Sequence, residues 1–223
     1  MMEFLWWLLP LLIIWLMGLL FAGADWGGPQ VNWLDGWIRI LCRSLHGLGK
    51  QRIDLPEQGP AIVVANHISG LDPLLLIAAS KRPLRFLIAR EEYQRFGMQW
   101  LFRAAGCIPV DRDGRSEKSL RQALKALQQD DVIAIFPHGR IHLDGDPPRQ
   151  LKAGFARLAA WSDAPIVAVR IDGVTAQGKV LSAPFIPSKV LLTVAPPIKA
   201  NANALSQAVD TVSNCIKKPS NTH

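Results

Sequence analysis

Residues 66–72 read Asn66-His67-Ile68-Ser69-Gly70-Leu71-Asp72 and come directly after the apolar run Ala61-Ile62-Val63-Val64-Ala65. A histidine at the end of a buried strand can take a proton near neutral pH. A carboxylate five residues on, across a turn containing Gly70, can fold back on the ring. There it fixes the tautomer and stabilises the imidazolium once the proton is taken. By itself the pair carries little weight, because His and Asp five apart occur by chance and a strand-end His is often merely hydrogen-bonded.

The elements that must position the pair are legible after residue 52. Short apolar runs at 61–65, 85–89, 132–136, 166–171 and 189–195 predict strands. Pro73 opens a helix over 74–80, and 91–105 reads as a second. Ser116 can cap 117–129, whose Leu120, Ala123, Leu124 and Leu127 form its buried face, and 151–161 is a further helix. This alternation predicts an α/β fold, with a mostly parallel central sheet flanked by helices. Chemistry in such sheets collects at the carboxyl ends of strands, where His67 and Phe136-Pro137-His138-Gly139-Arg140 are both expected. The chain divides into an N-terminal segment (1–50), the α/β domain (51–216) and a polar tail (217–223).

No charged residue occurs from Phe4 to Ala24, a stretch long enough to span a bilayer as a helix. Ala22-Gly23-Ala24 resembles a signal cleavage site, but Glu3 and the absence of Lys or Arg ahead of the apolar run argue against a secretory signal. A second helix is expected from Asn32 as N-cap. Trp33, Leu34, Trp37, Ile38, Leu41 and Leu45 form an apolar stripe, and Asp35, Arg39 and Arg43 the opposite one. The two elements read as a membrane-associated helical hairpin, its second helix lying in the interface. Packing on the domain surface is the alternative for that helix, and a hairpin dipping into one leaflet the alternative to spanning. Arg39, Arg43, Lys50 and Arg52 place the remainder of the chain on the cytoplasmic face by the positive-inside rule. His46 carries no chemistry in this reading.

The formal charge of +7 over 223 residues favours anionic partners. Eight Trp accompany a single Tyr, and six of those Trp precede residue 40. They read as interfacial anchors rather than a stacking platform for bases, so the expected partner is a lipid bilayer and not nucleic acid. Cys42, Cys107 and Cys215 show no metal-type spacing. There is no internal repeat, no Gly-x-Ser-x-Gly elbow, and no Gly-x-Gly-x-x-Gly or Walker-type loop.

Four blocks, in order over residues 60–172, resemble the glycerolipid acyltransferases that include lysophosphatidic acid acyltransferase. Residues 66–72 are similar to that family's Asn-His-x-Ser-x-x-Asp block. Gly106-Cys107-Ile108-Pro109-Val110-Asp111-Arg112 resembles the block whose closing Arg binds the acceptor's phosphate. Residues 136–140 resemble its Phe-Pro-Glu-Gly-Thr-Arg, and Ala164-Pro165-Ile166-Val167-Ala168-Val169 its Val-Pro-Ile-Val-Pro-Val strand. The resemblance implies acyl transfer from acyl-CoA or acyl carrier protein, as cosubstrate, to a lysophospholipid hydroxyl, above all that of 1-acyl-glycerol-3-phosphate. His67 would be the general base and Asp72 its orienting partner. Arg112, Gly106, His138, Gly139 and Arg140 would contact substrate, with no metal and no separate cofactor.

The third block departs from the pattern. His138 stands where Glu is usual, Arg140 comes one place early and Ile141 occupies the Arg position. A largely neutral imidazole changes charge and hydrogen-bonding capacity, so the departure bears on the acceptor's head group. Another lyso-lipid such as a lyso-ornithine lipid, a non-catalytic lipid-binding module and a lipid esterase are the competing readings. His138, His142 and Asp144 could also suggest a metal site, but Pro137, Gly139 and Gly145 make the segment a loop, where i,i+4 spacing loses its meaning. Lys152 and Arg157 flank Gly154 and read as a solvated helix face.

Overall fold

A computed structural model describes residues 3–111, 117–200 and 205–217, with side chains from Leu8 onward. The strands are β1 (Ala61–Ala65), β2 (Leu84–Ala89), β3 (Ile108–Val110), β4 (Val132–Ile135), β5 (Ile166–Asp172) and β6 (Leu191–Val194). They form one sheet in the order β3-β2-β4-β1-β5-β6. All neighbours are parallel except β5 and β6, so the sheet is mixed with an antiparallel edge. β1 is central and buried along its whole length, as expected of a strand covered on both faces. β3 was not foreseen: three residues including Pro109 give no periodic signal, and Pro is tolerated there because β3 is an edge.

The helices are α1 (Glu3–Leu20), α2 (Pro29–Ser44), α3 (Asp72–Ala79), α4 (Arg90–Tyr93), α5 (Gln99–Ala104), α6 (Glu117–Leu127), α7 (Gly154–Ser162) and α8 (Leu205–Ile216). The single helix expected over 91–105 is two, divided near Gly97, whose φ of +77° no helix accommodates. α8 also escaped the sequence reading, although Ala208, Val212 and Ile216 are its buried stripe at helical spacing. The sheet separates two apolar layers. Ala61, Val63 and Ala65 meet Leu75 and Leu76 of α3 and Cys42 of α2 on one face. Ile62 and Val64 meet Leu127, Phe155, Leu158 and Val212 on the other.

The N-terminal segment departs from expectation twice. α1 ends at Leu20, and its 18 residues extend only about 27 Å, short of a hydrocarbon core of about 30 Å. Among the described residues no helix is long and apolar enough to cross a membrane, which corrects the spanning helix expected from Phe4 to Ala24. The chain turns because the Asp35 carboxylate accepts from the Gly23 and Ala24 amides, at 2.7 and 3.3 Å. α1 then lies against α2 so closely that a Cβ on Gly36 would stand 1.7 Å from the Gly18 carbonyl oxygen.

The second correction concerns α2, where Asp35 and Arg39 of the polar stripe face inward while Arg43 is exposed. Asp35 and Arg39 are 2% and 4% exposed, and Arg39 Nε donates to Asp35 at 2.7 Å. Its terminal nitrogens donate to the carbonyls of Ala78 and Ser80 at the end of α3, at 3.0 and 2.6 Å. A charge pair whose remaining hydrogen-bonding groups are all satisfied can be buried, and periodicity alone does not distinguish such a stripe from a solvated one. The helix starts at Pro29 after Gly28, and Asn32 instead accepts from the Trp26 amide. The open apolar surface belongs to α1, where Leu8, Leu11, Leu16 and Leu20 are all exposed.

Candidate active site

β1 delivers His67 to the carboxyl edge of the sheet. Just beyond the strand, the Asn66 side chain donates to the Ile171 carbonyl (2.9 Å) and accepts from the Ile171 amide (2.7 Å). It substitutes for a ladder rung and pins this strand end to β5. His67 Nδ1 then lies 2.8 Å from Asp72 Oδ2, with the Asp72 side chain completely buried and that of His67 18% exposed. The same carboxylate accepts from the Ile68 and Ser69 amides, at 2.6 and 2.8 Å, and from the Ser69 hydroxyl at 2.9 Å. Asp72 opens α3, where a helix N-terminus favours an acidic side chain. With Nδ1 committed to this carboxylate, Nε2 is the nitrogen left for chemistry. Phe136 stacks on the imidazole, ring centroids 4.2 Å apart. Ser69 orders the turn, and Gly70 is required by close approach: a Cβ there would meet the Val180 carbonyl oxygen at 2.1 Å.

The third block leaves the neighbouring strand, β4. Gly139, at φ +72°, closes the turn by donating its amide to Phe136 O at 3.0 Å, so its requirement is conformational. The loop beyond is hung at two points. The His142 amide donates to His67 O at 2.7 Å, and Asp144 accepts from Arg170 Nη2 at 2.7 Å. Arg170 is buried in β5 and also binds Asp172 and the Ile216 carbonyl of α8. Sequence reasoning passed over Arg170 and weighed Asp144 only as part of a metal site. The available signal was the charge itself, since an arginine inside an otherwise apolar strand demands a partner.

His138 is 9% exposed, and its Nδ1 has no hydrogen-bond partner among the described residues. Its ring stacks on His142 at 4.5 Å between centroids. The i,i+4 spacing therefore does bring these rings together, on a loop rather than a helix, while Asp144 turns away to Arg170. Burial, reinforced by His142, Arg149 and His67, pushes the His138 imidazole down from 6.5 to about 4. It is neutral where the family pattern has a carboxylate. The unfolded chain binds this proton near pH 6.5 and the folded chain only near pH 4, so stability falls as pH drops through that window. Thermal melts at about pH 7 and about pH 4.5 should show a smaller acid-side loss of Tm for His138→Gln than for the parent. Equal losses would refute the assignment.

Arg140 is exposed and lines a shallow pocket with His142 and Arg149. Arg112 lies outside the described residues. Its neighbour Asp111 is paired with Arg90 across the ends of β3 and β2, with Arg90 Nη2 3.0 Å from Asp111 Oδ2. The pairing holds the Asp111 carboxyl below its usual range. Gly106 ends α5 at φ +63°, backed by Arg85, and precedes the amino end of β3, whereas His67 is at the carboxyl edge. Cys107 is buried, and burial pushes its thiol up to about 11, which leaves it unsuited as a nucleophile. His46, expected in an interface, is fully buried, with Nε2 3.0 Å from Pro184 O.

The chain resembles known proteins. It is 33% identical over 123 residues to an N-acylphosphatidylethanolamine synthase of Arabidopsis thaliana, covering 50% of this chain and 43% of that protein. It is 35% identical over 126 residues to a probable 1-acyl-sn-glycerol-3-phosphate acyltransferase of Mycoplasma genitalium, covering 51% and 44%. The chain thus spans less than half the length of these two relatives. Its fold is that of the crystal structure of the 1-acyl-sn-glycerophosphate acyltransferase from Thermotoga maritima, with a TM-score of 0.62 at 23% identity, covering 81% of this chain and 76% of that one. The family model described as Acyltransferase matches residues 50–172, just over half of the chain and all of the His67–Asp72 and Phe136–Arg140 geometry. The chain belongs to the acyltransferase family.

Proposed function

We propose that the protein transfers a fatty acyl group from acyl-CoA or acyl carrier protein to the hydroxyl of a lysophospholipid, with 1-acyl-glycerol-3-phosphate as the leading acceptor. The observation that carries this reading is the Asp72 carboxylate, fixed by two amides and a hydroxyl and holding His67 Nδ1 at 2.8 Å. Nε2 takes the acceptor's proton as its oxygen attacks the thioester carbonyl carbon. Asp72 stabilises the imidazolium. The tetrahedral adduct then collapses, the carbon–sulfur bond breaks, and the thiolate takes the proton from Nε2. The reaction needs no covalent protein intermediate and no cofactor besides the acyl donor. The name of the Mycoplasma genitalium relative gives 1-acyl-sn-glycerol-3-phosphate, which supports this substrate class.

The open apolar flank of α1 and the exposed Arg43, Lys50 and Arg52 support attachment to a single leaflet, on the cytoplasmic face, where such acceptors reside. The same basic character suits the phosphates of CoA or an acidic carrier protein. Incubation with labelled acyl donor and a panel of lyso-lipids tests the reading. A single acylated acceptor names the substrate, whereas free fatty acid with no lipid product would convert the assignment to a hydrolase. Arg140 and Arg149, which both line the shallow pocket, are the expected phosphate contacts together with Arg112. Arg140→Ala with Arg149→Ala should raise KM for a phosphate-bearing acceptor about tenfold or more and spare a phosphate-free one. Equal effects on both would remove the pair from the acceptor site.

A further inference from the structure

Beyond α1 and the adjoining Phe21, and apart from the isolated Trp161 and Leu191, the large apolar side chains left in the open among the described residues gather in two loops. Phe96, Met98 and Trp100 lie between or at the edge of α4 and α5; Val180, Leu181 and Phe185 lie between β5 and β6. Phe96 is fully exposed, and Leu181 and Phe185 are 73% and 76% exposed. These loops come after β2 and β5, which stand on opposite sides of β1 in the sheet, so they flank the strand that carries His67. The second loop touches the catalytic turn: the Gly178 amide donates to Ile68 O and the Gly70 amide to Lys179 O, at 2.8 and 2.9 Å.

Their inward side chains define which way they face. Tyr93 and Phe102 beside the first loop, and Val174, Ala176, Ala183 and Ile186 in the second, pack into the apolar layer that also holds Cys42 and α3. Both loops therefore belong to the face of the sheet that carries the α1–α2 hairpin. The opposite face presents charged side chains, such as Glu117, Lys118, Arg121 and Lys125 of α6. The loops also share a charge pattern. Arg95 and Arg103 bracket the first and Lys179 and Lys189 the second, all four exposed, with Arg95 sharing a surface pair with Glu92.

We propose that the 96–100 and 180–185 loops are two further membrane-insertion elements, which seat this face in an anionic lipid monolayer with the His67–Asp72 turn between them. Aromatic and aliphatic tips flanked by bases suit the boundary between acyl chains and acidic headgroups. A second copy of the chain is disfavoured as the partner, because it would bring two such basic rims together. The choice of a lipid partner rests on the acyl-transfer reading above; the geometry of the loops does not.

The test uses the full chain with Cys215→Ser, since Cys42 and Cys107 are buried. An environment-sensitive dye is placed at Phe96→Cys, Leu181→Cys and, as the opposite-face control, Arg121→Cys. On phosphatidylglycerol vesicles carrying nitroxide lipids, the dyes at 96 and 181 should brighten and be quenched, and the dye at 121 should do neither. On phosphatidylcholine vesicles, partition should weaken about fivefold or more, the loss expected when even one base forfeits its attraction to an acidic surface. Identical behaviour at all three positions overturns the proposal. So does brightening that grows with protein concentration in the absence of vesicles, which identifies self-association. In parallel, Leu181→Ser with Phe185→Ser should lower turnover of an acceptor embedded in vesicles while leaving a short-chain, monomeric acceptor unaffected; equal loss on both also overturns it. A parent protein inactive on every acceptor would refute the acyl-transfer reading, and the dye measurements would still judge the loops.

Discussion

His67→Ala should lower acyl transfer about 10²–10⁴-fold, the range expected when a positioned general base is removed. The replacement deletes the imidazole but leaves the Asp72 carboxylate with its amide and hydroxyl donors from Ile68 and Ser69, so the turn keeps its shape. His67→Gln extends the test, because its amide can still donate to Asp72 while offering no base. Both variants should retain the parent's Tm and vesicle partition. Near-normal turnover in either would dismiss His67 as the base. Asp72→Asn differs in kind: an amide in place of the carboxylate sets a second donor against the ring and the two backbone amides that now point at it. Activity and stability should fall together there, which separates an orienting residue from the base it orients.

Arg39→Ala should destabilise the fold by about 3–5 kcal/mol, the usual consequence of breaking a buried ion pair by removing one partner. Asp35 would be left as an unpaired charge at 2% exposure, and the carbonyls of Ala78 and Ser80 would lose their donors. Against a typical stability of about 5–15 kcal/mol, that loss is large enough to appear as a markedly earlier urea midpoint. Asp35→Asn with Arg39→Met should cost less than Arg39→Ala alone, since no charge then remains buried. A change in Arg39→Ala below about 1 kcal/mol, the usual worth of a surface pair, would show that the pair is solvated in solution. The contrast matters for the N-terminal segment, which the sequence presents as a membrane-associated hairpin and which the structure ties to the end of α3.

Five of the six strands, the α3 start at Pro73 and the His67–Asp72 contact were legible because each rests on local signals: apolar runs, a helix-start proline, and a turn that folds a carboxylate back on its neighbour. What was not legible depends on pairing across the fold. The buried Asp35–Arg39 pair of α2 looked solvated because the carbonyl partners of Arg39 lie 39 and 41 residues away. Arg170 drew no reading because its partners, Asp144 and the Ile216 carbonyl of α8, come together only in the fold. Gly106 sat inside a block associated with substrate, yet its requirement is the left-handed turn that ends α5. The resemblance of a block to a family pattern does not by itself separate residues that touch substrate from residues that shape the backbone.

The strand order has a consequence for how the site can change. β1 and β4 are neighbours, but the chain leaves β1 through α3 toward β2 on one face, and leaves β4 through α7 toward β5 on the other. Connections that diverge in this way open a crevice at a topological switch point. His67 and Asp72 hang from one lip of that crevice and the His138–Arg140 turn from the other. Each lip can be rewritten without the other, so the side chains of the His138–Arg140 turn can change while the imidazole and carboxylate of His67 and Asp72 stay in register. An imidazole at position 138, where the family pattern has a carboxylate, is what such modularity permits.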